Sequence, residues 1–126
     1  MSGVTLDTGA LIALERGSRR MIALIHLAQT ERTTLAVPAC VVAQAWRGGP
    51  RQARIARLLE APVTEVVPLD DLVARTVGAL CGQVKVSDVV DVSVIVCARE
   101  RGHAVVTSDP EDLRAIDPKV TLLQPN

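Results

Sequence analysis

Short runs of β-branched and aliphatic residues alternate along the whole chain with longer segments whose apolar residues recur every three or four positions. The short runs are typical of buried strands, and the longer segments are typical of amphipathic helices. Strands are predicted at "GVTL", "TLAV", "VTEVV", "AVVT" and "VTLL". Because helical segments separate these strands, the sequence predicts a parallel sheet covered on both faces by right-handed crossovers.

Several helical segments carry signals for where they begin and end. Gly17 is expected to follow the first helix, and Pro38 is expected in the first turn of the helix that contains Trp46. Asp70 and Ser87 are the expected N-caps of the two helices that follow the third strand. No repeat, linker or low-complexity segment interrupts the pattern.

Composition narrows the class of protein. With 126 residues, of which 48% are hydrophobic, the chain can bury a core as one domain spanning residues 1–126. A net charge of zero gives no evident attraction of the whole molecule to nucleic acid. A single aromatic residue argues against modules that stack bases on aromatic platforms. The three cysteines lack zinc spacing and are expected to be buried free thiols in a reducing cytoplasm. No apolar run has the length of a membrane span, so we expect a cytoplasmic protein without a membrane partner.

Two aspartates come at the ends of predicted strands. Asp7 follows "GVTL" and Asp109 follows "AVVT" after one serine. In a parallel sheet every strand ends at the same edge, and ligands bind there where the strand order reverses. Both residues also suit the N-cap of a helix, since "DPED" is a good helix start. They are therefore expected either to cap helices or, if the first and fourth strands are neighbours, to share one site.

A further pair of acids begins the apolar helix "DVVDVSVIVCA". Asp88 lies in the first turn, where the helix dipole favours a negative charge. Asp91 is surrounded by apolar residues, and a carboxylate there is costly unless it is paired or binds a metal. If Asp91 joins Asp7 and Asp109, their repulsion raises their pKa values, and a divalent cation would remove that conflict. Ligands that are all oxygen favour Mg²⁺, or Mn²⁺ as a substitute, over Zn²⁺.

The segments "LDTGALIAL", "VPACVVAQAWRGG" and "DVSVIVCARERGHAVVTSDPEDL" resemble PIN-domain ribonucleases, particularly the VapC-type toxins of type II toxin–antitoxin systems. The resemblance extends over almost the whole chain. It implies an α/β protein, a three-layer α/β/α sandwich around a five-stranded, mainly parallel sheet of order 3-2-1-4-5. It also implies that Asp7, Asp91 and Asp109 are catalytic and bind metal, with Asp112 as an additional acid.

The implied activity is that of a Mg²⁺-dependent endoribonuclease, which hydrolyses phosphodiester bonds in RNA. The implied partners are a small antitoxin that covers the acidic pocket and a second copy in a homodimer. An acidic site needs cations nearby to hold RNA, and "RGGPRQARIAR" offers them. The candidate phosphate contacts are Arg47, Arg51, Arg54 and Arg57, which could equally form a solvated helix face.

One position departs from the family pattern. Gln44 stands where the family usually has a glutamate, and an amide oxygen can ligate a metal but brings no charge. Asp88 or Asp112 could supply some of the missing charge. The alternative function is therefore a catalytically weakened PIN scaffold that mainly binds an antitoxin or RNA.

Two other classes of protein also gather acids at a sheet edge. A phosphoacceptor receiver domain would need two acids after the first strand and a lysine after the last, where Lys119 instead precedes the final strand. A phosphatase with an aspartyl nucleophile would need a second aspartate where the chain has Gly9. Both patterns are missing from the sequence, so a nuclease or a PIN-like binding scaffold is favoured.

Overall fold

The computed structural model describes residues 3–126, which form one parallel sheet with helices on both faces. The strands are β1 Gly3–Leu6, β2 Thr34–Pro38, β3 Thr64–Val67, β4 Ala104–Val106 and β5 Leu122–Leu123. Their order is β3-β2-β1-β4-β5, and every neighbouring pair is parallel. The predicted strand order is confirmed. It makes β1 and β4 neighbours, and the order reverses between them.

The helices complete the predicted three-layer α/β/α sandwich. They are α1 Thr8–Glu15, α2 Arg19–Glu31, α3 Ala39–Ala45, α4 Ala53–Glu60, α5 Asp71–Val84, α6 Val89–Arg101 and α7 Pro110–Ile116. A single 3₁₀ turn at Pro50–Gln52 leads into α4. Within residues 3–126, the structure contains no helix of the length and apolarity that crossing a membrane requires.

The core is built around α6 and the two central strands. Every residue of β1 is buried, and α6 is buried continuously over 92–98. Side chains such as Leu6, Ile95 and Val105 are completely enclosed. Burying each such side chain contributes about 1.5–3 kcal/mol, so this layer holds the positions of β1, β4 and α6 firmly. The ends of these elements carry the acids of the site.

The structure confirms one predicted helix cap and corrects another. Asp70 caps α5, since its Oδ1 accepts a hydrogen bond from the Val73 amide at 2.9 Å. The N-cap of α6 is Asp88, not Ser87, and its Oδ1 accepts from the Asp91 amide at 3.0 Å. The helix starts one residue later than the pattern indicated, and a capping side chain must lie directly before the first helical residue.

Two boundaries of α3 also differ from the sequence-based expectation. Pro38 ends β2 and lies directly before α3 instead of in its first turn. Its φ of −59° and ψ of 141° are extended, so it can finish the strand and still precede the helix. Trp46 was expected inside this helix but is its C-cap, with an extended ψ of 128°, so α3 ends at Ala45. The three cysteines are free as predicted, but they were expected to be buried and only Cys97 is, whereas Cys40 and Cys81 are partly exposed.

Candidate active site

Asp7 occupies the buried floor of the acidic site. It follows β1, is 5% exposed, and caps α1 by accepting a hydrogen bond from the Ala10 amide at 2.9 Å. Burial raises the pKa of this carboxyl group; the Thr107 hydroxyl and the Ala10 amide oppose the increase, and the charge of Asp109 adds to it. A carboxylate has about four lone-pair positions, so capping leaves Asp7 able to bind another group.

Asp91 lies half-buried in the first turn of α6, beside this floor. Its pKa is raised to about 6, first by burial and then by the charges of Asp88, Asp112, Asp7 and Asp109. All four of these charged neighbours are acidic, and they come from three distant parts of the sequence. The predicted acidic constellation is therefore assembled by the fold at the carboxyl edge of β1 and β4.

The remaining acids form an exposed rim. Asp88 caps α6, and Asp112 lies in the first turn of α7. Asp109 occupies the N-cap position of α7, but its side chain makes no capping hydrogen bond. The alternative that Asp109 serves only as a helix cap is therefore wrong. Asp109 is exposed, and its charge acts on both Asp7 and Asp91.

Thr107 and Gly9 shape the site, although sequence reasoning did not single them out as functional. Thr107 is completely buried; its hydroxyl donates to the Asp7 carboxylate and accepts from the Asp109 amide at 2.9 Å. A Cβ on Gly9 would overlap the Ser108 side chain and lie 3.4 Å from Asp7 Oδ1. Gly9 thus lets the segment after β4 close on the start of α1. The T-x-D spacing was the one sequence signal that could have indicated Thr107.

Gln44 reaches this edge from α3. Its Oε1 accepts a hydrogen bond from the Thr8 hydroxyl at 2.5 Å, and Thr8 directly follows Asp7. The side chain is exposed and carries no charge. The structure therefore places Gln44 against Thr8, the residue that follows Asp7, with its oxygen engaged by the Thr8 hydroxyl.

The acids form an open set. Across residues 3–126, no three Asp, Glu, His or Cys side chains stand close enough to enclose an ion by themselves. The starts of α1, α6 and α7 all lie at this edge, and the positive ends of helices partly offset the negative charge. Asp7 is buried, whereas Asp88, Asp109 and Asp112 are exposed, so the site is open to solvent.

The predicted cationic residues do not form one patch. Arg47 folds back on the end of α3, where Nη1 donates to the Ala43 and Trp46 carbonyls at 3.1 and 2.7 Å. Arg51 is exposed on the 3₁₀ turn. Both residues lie on the connection between α3 and α4, which begins just after Gln44.

The other two arginines face α1 and α2. Arg54 Nη1 donates to the Glu15 carbonyl at 3.4 Å, at the opposite end of α1 from Asp7. An eight-residue helix is about 12 Å long, so Arg54 lies well away from the acids. Arg54 and Arg57 border a groove of about 260 Å³ between α2 and α4. The apolar residues of this groove are Leu14, Ile22, Ile25 and Leu58.

A larger hollow, of about 710 Å³, lies at the opposite edge of the sheet, where β2 and β3 begin. Its acid is Glu65, which accepts two hydrogen bonds of 3.0 Å from Arg101. This contact lowers the pKa of Glu65. Glu65 is thus a paired structural group.

Comparison with known proteins agrees with this architecture. Residues 4–118 match the family described as PIN domain. The fold is similar to that of FitAcB from Neisseria gonorrhoeae, with 20% sequence identity, 97% coverage of both chains and a TM-score of 0.67. It is also similar to FitAB bound to an IR36 DNA fragment, with 18% identity, 97% and 94% coverage and a TM-score of 0.63. Comparison with curated proteins finds no match. The family match covers most of the chain, and the chain belongs to the PIN domain family.

Proposed function

We propose that the chain is a metal-dependent endoribonuclease, the toxin of a VapC-type toxin–antitoxin pair. One observation carries this proposal: at one sheet edge the charge of Asp109 raises the pKa of Asp7, and the charges of Asp7 and Asp109 raise the pKa of Asp91. An acid cluster without a compensating cation is costly, and a folded chain retains such a cluster when it binds an ion or a substrate. PIN domains are generally nucleases, and cleavage of RNA phosphodiester bonds is the activity that this cluster suits.

Mg²⁺, with Mn²⁺ as a substitute, is the ion that fits these ligands. The donors are carboxylate oxygens, and Mg²⁺ usually keeps several waters while taking one or two carboxylates and substrate phosphates. The open arrangement of the acids leaves room for those waters and phosphates. Asp7, Asp91 and Asp109 would hold the ion, and further oxygens would come from Asp112, Asp88 and Gln44. When bound, the ion would activate water and neutralise charge on the phosphate.

The chain's own residues would orient this site and its substrate. The Thr107 hydroxyl fixes the direction of the Asp7 carboxylate, and the burial of both residues excludes competing water from that side. RNA would lie along the exposed rim. The proposed phosphate contacts are Arg47, Arg51, Arg54 and Arg57, all of which are exposed. A cytoplasmic location follows from an RNA substrate.

The proposed partners are a cognate antitoxin and a second copy of the chain. Both proposals derive from the resemblance to VapC-type toxins. The groove between α2 and α4 supports the first, because its apolar floor and its border of Arg54 and Arg57 suit an amphipathic segment with acidic residues. Binding there would also cover two of the proposed RNA contacts, so the antitoxin would compete with the substrate.

The second candidate function is a weakened PIN scaffold that mainly binds its antitoxin or RNA. Gln44 favours it, because the residue lies beside Asp7 without adding charge and its oxygen accepts from Thr8. The two functions differ in whether the isolated chain cleaves RNA at a useful rate when Mg²⁺ is supplied.

Replacing the acids tests the site. Asp7→Asn, Asp91→Asn and Asp109→Asn should each reduce Mg²⁺-dependent RNA cleavage by about 100-fold or more, because each removes a charged metal ligand. The matched control is Asp71→Asn, since Asp71 is an exposed acid paired with Arg75 on α5. Cleavage of a labelled RNA measures the rate, and circular dichroism checks the fold. Wild-type rates in all three variants would place catalysis elsewhere.

The repulsion at Asp91 predicts a pH-dependent stability in the metal-free protein. Its folded-state pKa of about 6 lies above the unfolded value of about 3.9, so the folded chain holds this proton more tightly. Stability should therefore fall as the pH rises from about 4 to about 6 and stay lower above that range. Asp91→Asn should be more stable than wild type at pH 7.5, with a smaller difference at pH 4.5.

Urea unfolding in a chelator measures this effect, and added Mg²⁺ should narrow the gap at pH 7.5 by stabilising the wild type. An equal difference at both pH values would show that Asp91 does not carry the electrostatic cost assigned to it.

Gln44→Glu separates the two candidate functions. The glutamate can still accept from Thr8 and adds a negative charge beside Asp7, so it should tighten Mg²⁺ binding and accelerate cleavage severalfold. The same charge should lower the stability of the metal-free protein. Calorimetric titration of the metal and RNA cleavage assays provide the measurements, with Gln83→Glu on exposed α5 as the control. If metal affinity and rate do not change, Gln44 lies outside the functional site.

The partner proposals have their own test. Wild-type chain should bind the co-expressed cognate antitoxin, and Ile22→Asp should lose that complex because it places a charge on the apolar floor of the groove. The free Ile22→Asp protein should keep its RNA cleavage. Sedimentation velocity should show twice the chain mass of 13.4 kDa. An unchanged complex would place the antitoxin on another surface, and a monomer would contradict the homodimer.

A further inference from the structure

Gln52 is a buried amide whose two ends bind opposite kinds of group. It is 6% exposed. Its Oε1 accepts from the Arg47 and Gly48 amides at 2.8 and 3.0 Å. Its Nε2 donates to Glu15 Oε1 and to the Ala45 carbonyl, both at 2.8 Å. With two donors on one side and two acceptors on the other, only one orientation of the amide satisfies every contact.

These contacts add to the few other hydrogen bonds that order the segment between α3 and α4. We define the arginine loop as residues 46–52, between α3 and α4. Gly48 and Gly49 have φ values of 79° and 97°, and a Cβ on either would meet nothing within 4 Å. The glycines are therefore required by conformation and not by space, and two consecutive glycines cost more entropy to order than other residues. Gln52 offsets that cost with hydrogen bonds that the loop's own backbone does not make.

The same contacts tie the arginine loop to α1, the helix that Asp7 caps. Glu15 is the last residue of α1, so the helix acts as a rigid spacer of about 12 Å between Glu15 and Asp7. Gln44, which lies on α3 just before the loop, contacts Thr8 in the first turn of α1. The loop is thus attached to the last residue of α1, and the helix that leads into the loop is attached to the first turn.

We propose that Gln52 is a positioning residue, which holds the arginine loop at a set distance from Asp7, Asp91 and Asp109 so that Arg47 and Arg51 meet phosphates of the bound RNA away from the cleaved bond. This inference rests on the proposed nuclease function. A loop that is already ordered loses less entropy when RNA binds, so the benefit appears in binding of substrate. Gln52 contacts neither the proposed substrate nor Asp7, Asp91 or Asp109, and it acts through the loop alone.

Gln52→Leu removes the amide while keeping a side chain of similar size. The KM for RNA cleavage should rise by about 10-fold with kcat changed by less than about 2-fold, and RNA binding should depend less steeply on salt. Hydrogen exchange of the Arg47 and Gly48 amides should accelerate by about 10-fold or more, with β1 and α6 still protected. Gln83→Leu, on the exposed surface of α5, is the control. A purely structural role would lower the melting temperature and leave KM and the salt dependence unchanged.

A second set of variants tests the proposal if Gln52→Leu does not fold. Gln52→Glu places a carboxylate against Glu15 and the Ala45 carbonyl, so it should release the loop and raise KM. Adding Glu15→Gln returns a donor to that contact, and the double variant should recover a large part of both KM and amide protection. A double variant no better than Gln52→Glu would overturn the proposal.

The exchange experiment separates this inference from the proposed function. If wild-type chain does not cleave RNA, the nuclease proposal fails whatever the loop does. If the Arg47 and Gly48 amides exchange at wild-type rates in Gln52→Leu, the positioning role of Gln52 fails even in an active nuclease. Accelerated exchange in Gln52→Leu together with an unchanged KM would also overturn the proposal. Gln52 would then order the loop in the wild-type protein without any benefit to substrate binding.

Discussion

Repulsion among carboxylates held at one edge of the sheet is the constraint on which the site depends. Asp91 has a pKa of about 6 because burial and four acidic neighbours act on it together. The chain cannot relieve this by moving Asp91 away, since residues 92–98 of α6 are buried in the core. Asp7 is likewise fixed by the fully buried β1. Apolar burial, at about 1.5–3 kcal/mol for each large side chain, outweighs the electrostatic cost and keeps the acids together.

Capping and function are compatible at this edge, although the sequence presented them as alternatives. Asp7 caps α1, and Asp88 caps α6, yet each uses only part of its hydrogen-bonding capacity. Asp109 stands at an N-cap position without capping. Thr107 connects the buried Asp7 to the exposed Asp109, because its hydroxyl contacts both the Asp7 carboxylate and the Asp109 amide. Local helix signals and the candidate site therefore share the same residues.

The distribution of the arginines separates two surfaces that looked continuous in the sequence. Arg47 and Arg51 belong to the arginine loop, whereas Arg54 and Arg57 border the groove between α2 and α4. Gln52, at the end of the arginine loop, and Arg54 both contact Glu15, at the opposite end of α1 from Asp7. If the proposed antitoxin binds in the groove, it would cover Arg54 and Arg57 but not Arg47 and Arg51.

The sequence by itself determined the order of strands and helices, and with the family resemblance it also indicated the sheet order and the acids Asp7, Asp91 and Asp109. These features depend on local patterns: β-branched runs, helical periodicity and acids at strand ends. It missed Gln52 and Thr107, because their importance lies in contacts with residues far away in the chain, such as Glu15 and Asp7. It also placed the cap of α6 one residue early, since "SD" offers two suitable caps and only packing of the helix chooses between them. Which oxygens face each other across a fold is set by tertiary packing, and a linear pattern does not encode those distances.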